Sequence, residues 1–476
     1  MFVGRKKELE SLSGLWGKNV PSLVTCRGRR RVGKSTLIEE FAHRTADHFI
    51  VIEGLAPRKG LSDARQRADF CRQLSLQTGR EVRKADTWLE AFMQLDEVLP
   101  AEGRTVVLLD EISWLGGRNP DFPGYLKIAW DRYFKKRRNL VFVLCGSVAA
   151  WIAENILDST GFVGRNSLDL NVMELPLCDS VKILQPSGGG LSEREKIDIL
   201  SVTGGIPKYL EEFRTELTVD ENVRRLCFMP QGILFREFDE TFSDVFGRHA
   251  AKRRKVMEAL SEKTLSVSEL STMDGTVLNG HASRTLRELE LAGFITGAGG
   301  LNPLTGKPLR SVRYRICDNY ARFYLHFIEP RKAAIEKGLF EFSSLEQLRG
   351  WESILGLQFE NLVLNHVGEL LPLLGLGNTL VLSAAPFRQH GTRRGEGCQI
   401  DLLIQTQRTA IIVEIKRKQR IDVGVIDEVE GKRKRLKVPA GMSMRTALVY
   451  DGELSPQIPA EGFFDFIIPF WKLLES

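Results

Sequence analysis

Gly28-Arg29-Arg30-Arg31-Val32-Gly33-Lys34-Ser35 is the stretch whose reading decides the fold. The apolar run Ser22-Leu23-Val24-Thr25-Cys26 precedes it, and Thr36-Leu37-Ile38-Glu39-Glu40-Phe41 continues it with helical periodicity. Strand, glycine-bounded loop and helix, in that order, are what a Walker A phosphate loop requires. Gly28 and Gly33 permit torsions and close approaches that a Cβ would obstruct. The loop N–H groups then converge on phosphate oxygens at the positive end of the helix. Gly28, Arg31, Val32, Gly33, Lys34, Ser35 and Thr36 are the expected nucleotide contacts. Lys34 is expected to reach the β- and γ-phosphates of ATP, and Ser35 to hold Mg2+.

Downstream, Thr105-Val106-Val107-Leu108-Leu109-Asp110-Glu111 places four apolar residues in a strand buried on both faces, with two carboxylates at its C-terminal edge. That is the Walker B pattern. Asp110 would orient Mg2+ and its water, and Glu111 would polarise the attacking water. Another buried strand, Leu140 to Cys145, ends in Gly146-Ser147. Ser147 could contact the γ-phosphate or the lytic water; a turn or helix cap accounts for it equally. Before the loop, Phe2-Val3-Gly4-Arg5 leads a helix from Lys6 to Leu15, and Phe49 to Ile52 reads as a second strand. The segment from Gly54 to Lys84 is polar and helical in pattern, and an amphipathic helix begins near Asp86. Strands and helices alternate to about residue 180, which predicts a parallel sheet covered on both faces.

Composition bounds the rest. A chain of 476 residues with 43% apolar content can build three or four ordinary cores. A net charge of +6 and a pI near 8.9 permit a nucleic-acid partner without demonstrating one. The seven cysteines are scattered without a CxxC pair, which points to core thiols in a reducing cytosol. No apolar run is long enough to span a bilayer, and the charged N-terminus lacks a signal-peptide core. A soluble, cytoplasmic protein with no membrane partner is expected.

The N-terminal region resembles AAA+-related (STAND-related) P-loop ATPases of archaea and bacteria that carry a C-terminal nuclease-like domain. Phe2-Val3-Gly4-Arg5, the phosphate loop, Leu109-Asp110-Glu111, Cys145-Gly146-Ser147, Val163-Gly164-Arg165 and Gly204-Gly205-Ile206-Pro207-Lys208-Tyr209 carry that resemblance. It implies that Ser147 is a first sensor and that Pro207, in a helical lid, lies near the adenine. Arg165 falls where an arginine finger would stand, acting across subunits in a homo-oligomer; a structural ion pair accounts for it equally. Lys6 departs from the pattern, since related signal-transducing ATPases carry an acid after Gly-Arg.

The segment from about 176 to 245 is mostly helical in pattern. Lys252 to Leu260, Val267 to Leu270 and Ser283 to Glu290 then read as three helices, followed by strands at Phe294-Ile295 and Val312 to Ile316. This order resembles a winged helix-turn-helix, with Arg284 and Arg287 on the recognition helix and Glu288 and Glu290 tempering their charge. DNA contact and mere packing between domains both fit it. The aromatics from Ile316 to Tyr324 suit a core or interdomain contact.

A second chemical centre lies near the C-terminus. Gln399 to Ile404 and Ala410 to Lys416 read as two strands around a tight turn. Glu414 and Lys416, two apart, share a face, and Asp401 on the facing strand can reach it. Two carboxylates can hold Mg2+, while the ammonium can position water and stabilise a pentavalent phosphate. Glu360, on an amphipathic helix, could join them. Glu360, Asp401, Glu414 and Lys416 resemble the helix acid and D…ExK signature of PD-(D/E)XK nucleases. Lys432-Arg433-Lys434-Arg435-Leu436-Lys437 reads as a helical face for phosphate-backbone contact, or simply a solvated one.

The expected fold is a multidomain α/β protein. Residues 1–180 form a P-loop parallel α/β ATPase core, 181–245 a helical lid, 246–330 a winged helix-turn-helix and 331–350 a connector. Residues 351–476 form a restriction-endonuclease-like α/β domain. The expected function is ATP-regulated, Mg2+-dependent DNA processing. The alternative is a regulatory ATP switch or partner-binding scaffold whose nuclease fold cuts nothing.

Overall fold

The computed structural model describes residues 2–185, 190–272, 282–309, 311–389, 391 and 396–475. The chain divides into two compact units, residues 1–174 with 291–293, and residues 175–290 with 294–476.

The first unit is built on five parallel strands: β1 (Ser22–Arg27), β2 (His48–Glu53), β3 (Thr105–Asp110), β4 (Leu140–Gly146) and β5 (Asn166–Asn171), in the order β2-β3-β4-β1-β5. The three inner strands are largely apolar and buried along almost their whole length because helices cover both faces of the sheet. One flank is an aromatic core in which Trp88 meets Phe122 edge-on at 4.8 Å. The helix expected near Asp86 spans Trp88–Val98, started by the Thr87 side chain accepting from the Glu90 N–H. The polar stretch before it forms Asp63–Thr78, capped by Ser62. All strands run the same way, so the phosphate loop, Asp110-Glu111 and Ser147 emerge from one carboxyl edge.

The second unit opens with helices Leu177–Leu184, Glu193–Thr203, Pro207–Leu210, Val219–Cys227 and Ile233–Phe246. Capping boxes at Ser192/Glu195 and Thr218/Glu221 start two of them. Helices Ala250–Leu260, Val267–Thr272 and Ala282–Leu291 follow. With them comes a small antiparallel sheet of β6 (Leu265–Ser266), β7 (Ile295–Ala298) and β8 (Arg313–Ile316), ordered β6-β8-β7. Residues 331–350 are more than a connector: Ile335, Phe342, Leu345 and Leu348 are buried.

The C-terminal sheet is mixed, in the order β13-β12-β11-β10-β9. Its strands are β9 (Ser383–Gln389), β10 (Cys398–Gln405), β11 (Thr409–Ile421), β12 (Ser443–Leu454) and β13 (Phe466–Pro469). β9, β10 and β11 pair antiparallel, and β11, β12 and β13 pair parallel. The helix Gly424–Arg435 joins β11 to β12; it ends before Leu436, so Lys437 lies beyond the basic helix expected from sequence.

A buried polar hub explains why these segments form one unit. From helix Trp351–Asn365, Gln358 Nε2 donates to the Ser201 and Asn319 carbonyls at 2.8 and 2.7 Å. Asn361 Nδ2 donates to Asn319 Oδ1 at 2.6 Å and to the Cys317 carbonyl at 2.8 Å. Arg417, two-thirds along β11, is ion-paired with Asp198 of helix Glu193–Thr203 and, at 3.2 Å, with Asp451 of β12. The Ile316–Tyr324 aromatics are core, with Tyr324 stacked on Phe238 at 4.7 Å. Among the described residues, no helix is long and apolar enough to cross a membrane.

Candidate functional site

The phosphate loop takes the shape its glycines permit. Gly28 has φ +147°, and a Cβ there would lie 2.2 Å from the Val172 carbonyl oxygen, so no other residue fits. Gly33, at φ +86°, turns the chain into helix Lys34–Thr45. Arg31 is also left-handed, at φ 74°. Lys34 is buried and donates to the Arg29 carbonyl at 2.9 Å, closing the loop on itself. Val32 is buried and Thr36 exposed.

The Walker B edge meets this loop. Ser35 Oγ donates to Asp110 Oδ2 at 2.6 Å, so the two expected Mg2+ ligands are adjacent. Glu111 is left-handed at φ 46°, a conformation that costs about 1 kcal/mol or more in a residue with a Cβ and marks the bend from β3 into helix Ile112–Gly116. Burial pushes the Glu111 carboxyl up from its ordinary range, against hydrogen bonds from Ser147 and the charge of Lys34. Ser147 Oγ lies 2.9 Å from both Glu111 oxygens, and its N–H donates at 3.1 Å. The helix-cap alternative for Ser147 does not hold: Val148 occupies that cap, without a side-chain bond.

Arg5 escaped the sequence reading as a functional residue. Its side chain, 4% exposed, donates to the Val32 carbonyl at 2.9 Å and the Met173 carbonyl at 2.7 Å. It therefore braces the phosphate loop from behind. Its place in Phe2-Val3-Gly4-Arg5 was visible; its target, 27 residues away, was not. Arg165 makes a bidentate pair with Asp131, both contacts at 2.9 Å, and holds that carboxyl well below the usual range. Pro207 opens its short helix in the second unit, at the position where a missing N–H is harmless.

The second centre is brought together by β10, β11 and two helices. The register Leu402↔Val413, continued by one residue, puts Asp401 opposite Glu414. Asp401 Oδ2 accepts from the Ile415 N–H at 3.0 Å. Glu414 is fully buried, and its oxygens are 2.8 Å from Lys416 Nζ and 2.6 Å from Lys432 Nζ. Lys416 and Lys432 each also approach Glu428, at 3.0 and 3.2 Å. Burial first, and neighbouring carboxylates second, raise Asp401 and Glu414; burial also raises Glu360, against Arg315 and Arg322. Glu360 is thus electrostatically part of the cluster. Among the described residues no three or more His, Cys, Asp or Glu are arranged to hold a metal ion. Lys432 and Glu428 are the members that the sequence did not mark. Lys432 read as part of a basic face, but that face is largely matched: Lys434 pairs with Glu430 at 3.0 Å and Arg435 with Glu396 at 2.9 Å.

On the helix Ala282–Leu291, Arg284 meets Glu288 at 3.0 Å, and Glu288 also pairs with the buried Arg253. Glu290 accepts from the Gly297 N–H at 2.6 Å. Both acids that temper this helix are therefore engaged internally.

Comparison with known proteins bears on the first unit above all. Residues 2–213 match a family model described as an ATPase domain predominantly from Archaea. An uncharacterized protein of Methanocaldococcus jannaschii is 24% identical over 435 residues, covering 89% of this chain and 89% of its own. An uncharacterized ATP-binding protein of the same organism is 54% identical over 41 residues, 9% of this chain and 70% of its own. Among solved structures, a Walker-type ATPase of Pyrococcus abyssi aligns with TM-score 0.46 and 16% identity, covering 68% of this chain and 96% of that one. The ORC2 protein of Aeropyrum pernix, in ADPNP–ADP complexes, aligns with TM-score 0.42 and 13% identity, covering 70% and 94%. The family match and the phosphate-loop geometry agree. The N-terminal part of this chain is a P-loop ATPase domain, built to bind and hydrolyse ATP.

Proposed function

We propose that this chain is an ATP-hydrolysing, DNA-processing protein whose C-terminal domain is a Mg2+-dependent nuclease governed by nucleotide state. The observation that carries the reading is the convergence of Asp401, Glu414 and Lys416 on facing strands, with Glu414 fully buried, Asp401 half-buried and both carboxyls raised. Mg2+ is commonly held by one or two carboxylates, the remaining positions going to water and phosphate oxygens. Asp401 and Glu414 fit that donor set, as do Ser35 and Asp110 in the ATPase domain. When bound, the cation neutralises phosphate charge and acidifies its water.

The protein's own groups do the rest. Lys34 leaves the Arg29 carbonyl for the β- and γ-phosphates, and Glu111, its proton affinity raised by burial, takes the proton of the attacking water. Ser147 keeps the Glu111 carboxylate aimed. In the C-terminal domain, Lys416 lies where an ammonium can stabilise charge on a scissile phosphate. The helix order and β7–β8 hairpin of residues 246–330 support a winged helix that presents Arg284 and Arg287 to DNA.

A second reading, a regulatory ATP switch or scaffold whose nuclease fold cuts nothing, is favoured by one observation: the Lys432 ammonium rests on Glu414. Incubating the full chain with duplex, branched and single-stranded DNA and with RNA separates the two. Mg2+ or Mn2+ is supplied, with ATP, ADP or no nucleotide. Nucleotide-dependent cleavage is expected; no cleavage under any condition leaves the scaffold.

A further inference from the structure

Lys432 departs from its sequence neighbours. Its side chain, 12% exposed, sends Nζ to within 2.6 Å of Glu414 Oε2 and 3.2 Å of Glu428 Oε1. Lys416 closes the figure, 2.8 Å from Glu414 Oε1 and 3.0 Å from Glu428 Oε2. Acid and base thus alternate around a ring of four. Two details make the ring unequal. Glu414 is fully buried, and its Oε1 takes no directed hydrogen bond despite the nearby ammonium. Glu428, by contrast, is 45% exposed and lies within reach of both lysines.

Glu360 has Arg315 and Arg322 beside it, so the other three carboxylates, Asp401, Glu414 and Glu428, face two ammoniums. Fully ionised, that set lacks one positive charge, a costly state away from water unless a cation supplies it. A divalent ion on Glu414 would need oxygens at about 2.0–2.1 Å, where the ammonium seated on Oε2 repels it and competes for the same negative charge. Glu428 and Lys432 are one helical turn apart, so Glu428 stays beside Lys432 whatever happens at Glu414.

We propose that Lys432 is a removable counter-ion, seated on Glu414 until a divalent cation takes its place and then resting on Glu428. This rests on the reading of Asp401 and Glu414 as a cation site. The lysine thereby sets the metal affinity of the centre, and Glu428 sets how easily the lysine leaves.

The test is a double-mutant cycle on metal binding, read by calorimetry with Mn2+ on the nucleotide-free full chain. Heat that disappears in Asp401→Asn belongs to this centre. Lys432→Met should tighten that binding by about tenfold, because no ammonium competes. Glu428→Gln should weaken it by about fivefold when Lys432 is present and by less than about twofold in the Lys432→Met background. Should Lys432→Met fail to fold, Lys432→Gln serves the same cycle. An equal effect of Glu428→Gln in both backgrounds would mean a simple field effect and overturn the counter-ion exchange. Unchanged or weaker binding by Lys432→Met would do the same while leaving the metal reading intact. No Asp401-dependent binding in any variant would remove both.

Discussion

Arg5→Ala should loosen the phosphate loop while leaving every expected nucleotide-contacting residue unchanged in identity. The guanidinium bridges the Val32 and Met173 carbonyls at 2.9 and 2.7 Å; the first bond is buried and the second partly so. Hydrogen bonds from a charged donor contribute about 1.5–3 kcal/mol each, and a buried carbonyl left alone costs about as much. Taking both at the low end, because solvent screens the Met173 contact, gives about 3 kcal/mol. A unit of this size loses about 2–4 °C per kcal/mol, so the ATPase unit should melt about 6–12 °C lower. Nucleotide would then have to order the loop itself, weakening ATP binding by up to about 150-fold. Differential scanning fluorimetry and titration with a fluorescent ATP analogue read the two effects on one preparation. Arg5→Lys, a point charge without the fork, should fall between wild type and alanine. A melting point within about 1 °C of wild type, with unchanged affinity, would refute the brace.

Three further outcomes follow from the same geometry. Glu111→Gln should keep ATP binding and abolish turnover, while Lys34→Ala should lose binding; steady-state turnover and equilibrium binding separate them, and normal turnover in both would discard the site. Arg417→Met leaves Asp198 and Asp451 without their shared buried cation, so the second unit should lose about 3–5 kcal/mol, measured by denaturant unfolding. A change below about 1 kcal/mol would mean the triad is solvated. Asp401 is raised to about 6 and Glu414 to about 7. Such carboxyls hold protons more tightly in the folded chain, so their stabilising share is full below the ordinary carboxylate range. It is lost as pH rises through the raised values. Without metal, the second unit should therefore lose stability between about pH 4 and pH 7, and Asp401→Asn should flatten that decline in thermal scans.

What was legible in the sequence was local or periodic. The phosphate loop needs eight consecutive residues between a strand and a helix, and β3 and β4 announce themselves as unbroken apolar runs. The β10–β11 hairpin follows from two strands and a tight turn, and with it the meeting of Asp401, Glu414 and Lys416. What escaped depends on long-range pairing. Arg5 reaches Met173 across 168 positions and Arg417 reaches Asp198 across 219, distances at which neither pattern nor spacing says anything. Lys432 was misplaced for a related reason. A run of basic residues looks uniform along the chain, yet one side of the helix faces the buried Glu414 while the rest meets Glu430, Glu396 and solvent. Segments read as separate domains share a hub of Asn, Gln and Arg side chains, whose partners appear only once the chain is folded.

The central claim is that two phosphate chemistries, at separate centres, occupy one chain, and Asp401→Ala tests it most directly. Cleavage of DNA, affinity for Mn2+ and ATP turnover should be measured together on wild type and on this variant. The expected result is cleavage and C-terminal metal binding in wild type, both lost in Asp401→Ala, with ATP turnover nearly unchanged. If wild type cuts neither DNA nor RNA with Mg2+ or Mn2+, and Asp401→Ala binds metal as wild type does, the C-terminal domain is no nuclease.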